Sequence, residues 1–468
     1  MKKEKVKLSS SMWLGAADCM IATLSSVITG GGLTFFFVNY FKMSPGLSGL
    51  CWMLFGLWNA VNDPLFGYIS DKTKTKIGRR IPYIRYGSLA IATVFVLSWV
   101  LWFGNGSDAQ LFAQMLISLF LFDTLYTAIA TSLYVMPFEM AITNEARGKI
   151  LFVKVLFSLV SLAVPLVLLA ELEKILNQSL QKYQLIMTII GLAAGVIVFL
   201  STFFYKENGY AKEEEQYPFF QSLKVCFKNK SFIVFEIISF SVTYIQTALM
   251  LGLSYYFEAF SISFIWCYLA MFVGIALGMA FFAKAANSWG IKNCIVFMCV
   301  VFGSGMLVLL LLGQFLVAGV FGFLCAGIGF TGGMYLIPLM NGDVIDFDEH
   351  VSGLRREGMY AGVNSFICKP AISFANTLFP IMLVWFGYNS GAAIAAQTEL
   401  AKFGILFSWL IVPVVLLFVC AFSIKKFYPL HGSEWKEIKE KLTQIHMEKQ
   451  EAYEKEMLEK YPIEKDNR

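Results

Sequence analysis

The chain has 468 residues, of which 57% are hydrophobic and 15% charged. A soluble protein of this length carries nearer a quarter charged residues, so an ordinary soluble domain is excluded and a polytopic membrane protein is implied. The net charge of +5 does not suggest a nucleic-acid partner, because Lys and Arg crowd into particular loops, which is a topology signal.

The start, Met1 to Lys7, is basic and leads into an apolar segment without a convincing cleavage site, so no cleavable signal peptide is expected. A bilayer core takes about 20 apolar residues per helix. On that basis the sequence predicts twelve spans, near 12–40, 46–70, 82–104, 109–136, 151–171, 183–205, 232–257, 261–283, 292–313, 315–341, 359–387 and 402–424. The first and fourth are long enough to tilt or bend. Loop 70–85 holds Lys72, Lys74, Lys76, Arg79, Arg80 and Arg85, and loop 342–358 holds Arg355 and Arg356, whereas the alternate loops have almost no basic residues. The positive-inside rule therefore puts the charged loops, and with an even number of spans both termini, in the cytoplasm. A cell-membrane, multi-pass protein in contact with the lipid bilayer follows, and a monomer is expected.

The long loop 206–231 divides the chain into halves, giving an N-terminal six-helix bundle (1–205), a C-terminal bundle (232–424) and a cytoplasmic tail (425–468). That layout of an all-α membrane protein resembles a major facilitator transporter, whose halves are parallel repeats. In the tail, Trp435, Ile438, Leu442, Ile445, Met447 and Met457 lie among Lys and Glu, so parts of it can form an amphipathic helix that is solvated or lies on the membrane surface. The nine cysteines are scattered and read as buried free thiols rather than metal ligands or disulfides. Gly327, Gly329, Gly332 and Gly333 read as points of close helix approach or bending.

In the second span, Asn59, Asn62 and Asp63 fall at i, i+3 and i+4, so their side chains share a helix face. An ionisable side chain at that depth is a functional candidate by default. Amide and carboxylate oxygens are what a small hard cation needs once its water is removed; the competing reading is a buried structural pair of Asp63 with a Lys. The loop that follows carries Asp71, Arg79 and Arg80, read as gate residues. Asp18, in the first span, is suited to accept two sugar hydroxyls in fork geometry, or is a helix-start acid near the interface. In the fourth span Tyr126 and Thr127 lie about two turns before Tyr134; a Thr hydroxyl can complete a cation shell and a Tyr ring can stack on a sugar, although packing is the commoner use of both. Asp123, one turn before Thr127, could face either way. In the eleventh span, Asn364, Ser365 and Lys369 lie close to one face, and Lys369 is expected to pair with Asp63 or Asp18, since a buried Lys without an acid would lose its proton.

The segments Trp58-Asn59-Ala60-Val61-Asn62-Asp63-Pro64 and Asp71-Lys72-Thr73-Lys74-Thr75-Lys76-Ile77-Gly78-Arg79-Arg80-Ile81-Pro82-Tyr83 resemble the signature of the glycoside–pentoside–hexuronide:cation symporters, the melibiose permease family of the major facilitator superfamily. The resemblance extends to Met140–Arg147, Asp343–Phe347 and Arg356–Tyr360. It implies a cation site for sodium, lithium or a proton, formed by Asp63, Asn62 and Thr127, with Asn59 standing where melibiose-type members have a further acid. It also implies a sugar site in which Asp18 matches the first-helix acid, Lys369 the eleventh-helix lysine, Asn364 and Ser365 a Gln-Thr pair, and Tyr134 a stacking Trp. The fourth-helix galactoside acid is replaced by Ala130, and the fifth-span Arg is unmatched, with Lys154 adjacent. The expected function is cation-coupled symport of a sugar or glycoside by alternating access, with no cofactor beyond Na+ or H+ as coupling ion. A lysolipid or other amphiphile carrier of the same fold is the alternative within transport; a sensor or membrane enzyme is the alternative outside it, against which stand the lack of paired catalytic acids or a nucleophile–base set.

Overall fold

The computed structural model describes residues 4, 6–100, 107–208, 218–389 and 392–460. Among them the regular structure is helical: α1 (Leu8–Val27), α2 (Pro45–Lys72), α3 (Ile81–Leu97), α4 (Asp108–Met140), α5 (Asn144–Gln178), α6 (Leu180–Ser201), α7 (Phe219–Lys228), α8 (Lys230–Phe260), α9 (Phe264–Ser288), α10 (Ile291–Leu312), α11 (Leu316–Ser352), α12 (Glu357–Trp385), α13 (Glu399–Phe427) and α14 (Gly432–Lys460). Helices α1–α6 and α8–α13 take the places of the twelve expected spans, α7 lies in the expected middle loop and α14 in the tail. Eight of them, α4, α6 and α8 to α13, are long and apolar enough to cross a membrane, and α3 is a shorter apolar helix. Helix α1 is prolonged by π-helical turns at Ile28–Gly32 and Phe35–Tyr40.

Several helices outrun the expected spans. At 1.5 Å per residue the 33 residues of α4 and the 37 of α11 exceed a hydrocarbon core of about 30 Å. Their last turns therefore carry polar residues, Glu139 on α4 and Asp343, Asp346, Asp348 and Glu349 on α11, beyond the apolar stretch. Local sequence explains the starts. Ser107 and Gln110 form a capping box at α4, and the Thr143, Asn229 and Thr398 side chains accept backbone N–H groups at α5, α8 and α13.

The chain folds as two compact units. The first comprises Met1–Leu223, Ser352–Val363 and Glu440–Arg468; the second comprises Lys224–Val351 and Asn364–Lys439. Compared with a division at 206–231 and 425, the first unit therefore also takes in the start of α12 and the later part of the tail. The reason is chemical: residues of loop 73–80 and the end of α2 bind Glu357, Gly358 and Met359, and Met447 packs against Ile142.

In the first unit α1 packs on α5 and α6, α2 on α4, and α3 on α4 and α6. Its core includes an aromatic group in which Phe36 meets Trp99 edge-on and stacks with Tyr183, at centroid distances of 5.6 and 5.9 Å. In the second unit α13 is the hub, with α8 and α10 against it; its Trp409 indole donates to the Ala248 carbonyl at 3.0 Å. Lipid tails are as apolar as Leu, so close packing at small residues drives helix association in a bilayer. Gly327 shows this: a Cβ there would sit 2.9 Å from the backbone nitrogen of Ile275 on α9.

The tail is a helix, as the sequence suggests, but its start is engaged rather than merely solvated. Within the second unit Trp435 meets Phe347 edge-on at 6.1 Å, and the Lys439 ammonium pairs with Asp343 and, at 3.4 Å, with Asp346. His446, further along, is 2% exposed.

Candidate functional site

The first unit gathers most of the expected site residues. Pro64 lies inside α2, so Asp63 and Asn62 sit beside a position whose ring removes a backbone donor and disturbs the helix ladder. Asp63 is 2% exposed and accepts the Thr127 hydroxyl of α4 at 2.9 Å on Oδ1. Asn62, 3% exposed, donates its side-chain amide to Asp123 on α4, to the carboxylate at 3.1 Å and to the backbone carbonyl at 3.3 Å. The α2–α4 seam thus holds two buried carboxylates, two carbonyl or amide groups and a hydroxyl. Asn59 is half-buried on the same helix. Asp123, whose orientation the sequence left open, belongs to this seam.

Asp18 lies on α1, half-buried, and its carboxylate pairs at 3.2 Å with the ammonium of Lys154 on α5. Lys154 also donates to the Leu133 carbonyl at 3.0 Å, which fixes it against α4. Within the first unit the charge facing Asp18 is therefore that of Lys154, because α1 and α5 pack directly on one another. Tyr126 lies near both clusters. Its phenol is hydrogen bonded with Ser25 and lies within electrostatic range of Asp18, Asp63 and Asp123. Tyr134, two turns further on, sits edge-on to Phe138 at 6.5 Å.

Asn364, Ser365 and Lys369 belong to the second unit. The Asn364 carbonyl oxygen accepts the Ser239 hydroxyl of α8 at 2.7 Å and the Cys368 thiol at 3.2 Å. Ser365 and Lys369 are half-buried on the same stretch of α12.

The residues read as a gate form a buried network. Arg79 and Arg80 are 2% and 0% exposed. Arg79 reaches Glu139 at 2.8 Å and Glu357 at 3.0 Å. Arg80 reaches Glu139 at 3.1 Å, the Ser70 hydroxyl at 2.5 Å and the Asp71 carboxylate. Burial opposes the charge on Arg79, but Glu139, Glu357, Asp71 and Glu207 outweigh it and raise its pKa, so the guanidinium stays charged.

Asp71 has a second task. Its two oxygens accept the N–H groups of Gly358 and Met359 at 2.9 and 2.7 Å. These are unpaired donors of the first turn of α12, so Asp71 caps α12 from α2. Glu207 does the same for α3, accepting the N–H groups of Arg79, Arg80 and Ile81 at 2.6, 2.8 and 2.8 Å. The backbones meet without side chains between them: a Cβ on Gly358 would lie 2.5 Å from the Gly67 carbonyl, and one on Gly362 2.5 Å from the Asp63 carbonyl. Glu139, Glu207 and Glu357 are missing from any sequence-based site, because they lie far from Arg79 along the chain.

Among the described residues the arrangement consists of hydrogen-bonded carboxylates, amides and hydroxyls and of buried ion pairs. Residues 14–432 match the family described as MFS/sugar transport protein. The chain is 25% identical over 449 residues to the uncharacterized symporter YnaJ of Bacillus subtilis, covering 92% of this chain and 93% of that one. It is 23% identical over 446 residues to the inner membrane symporter YicJ of Escherichia coli, covering 88% and 90%. It is 24% identical over 397 residues to the isoprimeverose transporter of Lactiplantibacillus pentosus, covering 80% of each. A bacterial homologue of the iron transporter ferroportin, in an outward-facing crystal structure, superimposes with a TM-score of 0.62 at 12% identity over 90% of this chain and 99% of that one, which shows the shared fold. These matches identify a multi-pass membrane protein and a secondary transporter, not an enzyme. The chain belongs to the MFS/sugar transport protein family, among the glycoside–cation symporters that its motifs resemble.

Proposed function

We propose that the protein is a cation-coupled symporter of a sugar or glycoside, working by alternating access. The observation that carries the coupling is the α2–α4 seam, where Asp63 is buried and receives the Thr127 hydroxyl at 2.9 Å while Asn62 holds Asp123. Carboxylate, hydroxyl and amide oxygens at such close quarters are a hard-cation ligand set, for sodium or a proton. The ion-paired Asp18 supplies a hydroxyl acceptor, and coupling in this reading requires that occupancy of the substrate and ion sites favour each other, a reciprocal linkage. Asn364, Ser365 and Lys369, in the second unit, are the further residues proposed to bind substrate. The isoprimeverose transporter among the relatives supports isoprimeverose as the first substrate to try. The charged loops and both termini face the cytoplasm in this reading.

Counterflow of labelled isoprimeverose, other glycosides, pentoses and uronic acids in proteoliposomes, with and without a sodium or pH gradient, tests it. Gradient-driven accumulation of one of these compounds is expected. Uptake that ignores both gradients would leave a facilitator, and saturable transport of a lysolipid with none of the sugars would replace the sugar reading.

A further inference from the structure

A second buried acid lies away from the seam just described. Glu236 is on α8, in the second unit, six residues into the helix from Lys230, which is about 9 Å along its axis. It is 5% exposed, and among the described residues both of its carboxylate oxygens are buried without a hydrogen-bond partner. None of the described Lys, Arg or His side chains forms an ion pair with it. Leaving an ionised carboxylate in such a place costs far more than leaving a neutral acid there.

Among the described residues none supplies a paired counter-charge; Lys369, half-buried on α12 next to Cys368, forms no ion pair with Glu236. From α12 the Cys368 thiol is in electrostatic contact with Glu236. From α13 the Cys420 thiol points to the Ile237 carbonyl at 3.8 Å. Helix α11, which approaches α8 where Gly333 faces Val242, carries Asp343 and Asp346 further along, both engaged by Lys439. One turn on from Glu236 and on the same face, Ser239 donates to Asn364, and Cys368 lies 3.2 Å from both. Hydroxyl, thiol and amide thus lead from the acid to a residue of the proposed substrate set.

We propose that Glu236 is a proton-binding site: it carries an exchangeable proton in this conformation and gives it up to water when the second unit rearranges during transport. This rests on the reading of the chain as an ion-coupled carrier and adds H+ as a cation bound outside the Asp63 seam. No bond other than the carboxyl O–H forms or breaks, and water takes the proton.

Infrared spectroscopy of the purified protein in proteoliposomes reads the proton directly, with no substrate needed. The wild type at neutral pH is expected to show the carbonyl stretch of a protonated carboxylic acid, shifted in D2O. Glu236→Gln, a neutral near-isostere of the protonated acid, should lose the band of one carboxyl group, while Asp63→Asn should keep it. If Glu236→Gln does not fold, Glu236→Asp should move the band instead. A band that survives in Glu236→Gln, is absent from the wild type, or stays unshifted after prolonged exposure to D2O would overturn the proposal. Because no sugar or sodium enters the measurement, its failure is separable from failure of the sugar–cation reading.

Discussion

Thr127 on α4 donates its hydroxyl to the Asp63 carboxylate on α2 at 2.9 Å. That bond uses one oxygen of an acid that is 2% exposed, and it orients the carboxylate within the α2–α4 seam.

Replacing either partner should separate coupling from transport. Asp63→Asn keeps the shape and still accepts from Thr127, but removes the charge that a cation must balance. Uphill accumulation should vanish while downhill exchange persists. Thr127→Val removes only the hydroxyl. A hydrogen bond to a charged group contributes about 1.5–3 kcal/mol, so apparent cation affinity should fall about tenfold or more. Accumulation that survives in Asp63→Asn would exclude this acid from coupling.

The Asp18–Lys154 pair predicts an asymmetry. The side chains are 30% and 9% exposed. Lys154→Gln leaves Asp18 able to draw on water, whereas Asp18→Asn strands a deeply buried ammonium. Breaking a buried pair costs about 3–5 kcal/mol, and the partly solvated member recovers some of it. Asp18→Asn should therefore lower the Tm in detergent more than Lys154→Gln, and the double variant should regain part of the loss. Both single variants should bind substrate more weakly. Equal Tm values for the two would mean that the pair is not a buried one in the membrane.

The α2 side of the site was legible because Asn59, Asn62 and Asp63 declare a shared face by spacing alone, and an acid in a span is rare enough to stand out. Thr127 followed from the motif resemblance. Asp123 and Lys154 were not readable to the same degree, since α4 and α5 are apolar on most sides and their sequence does not reveal which face meets α2 or α1. The gate was half legible. Arg79 and Arg80 sit in a basic loop whose sequence marks them as gate residues but not as buried ones; they are buried because Glu139, Glu207 and Glu357 converge on them from 59 to 278 residues away. Nothing local marks those partners. No spacing in the sequence marks Glu236; its burial is what singles it out.

The proposed orientation, with the charged loops in the cytoplasm, is directly testable. A single cysteine replacing Thr75, which is exposed, should be labelled by a membrane-impermeant maleimide only in inside-out vesicles. The nine native cysteines are buried and give a low background. Labelling from the outside alone would invert the topology.

The crossing of α2 with the first turns of α12 should be intolerant of any side chain. A Cβ on Gly358 would lie 2.5 Å from the Gly67 carbonyl and 2.8 Å from both Arg80 Nη1 and Asp71 Oδ1. Backbone cannot yield there, so Gly358→Val should push α12 off α2 and break the cap that Asp71 provides. Met359 is 1% exposed in the packed arrangement. A cysteine at Met359 should thus be protected from maleimide with Gly358 present and become reactive in the Gly358→Val background, with transport lost. Arg80→Lys should have a milder effect in the same direction, since one ammonium cannot reproduce the fork that joins Asp71, Ser70 and Glu139. Equal protection of the cysteine in both backgrounds would show that this crossing is not what closes the gate.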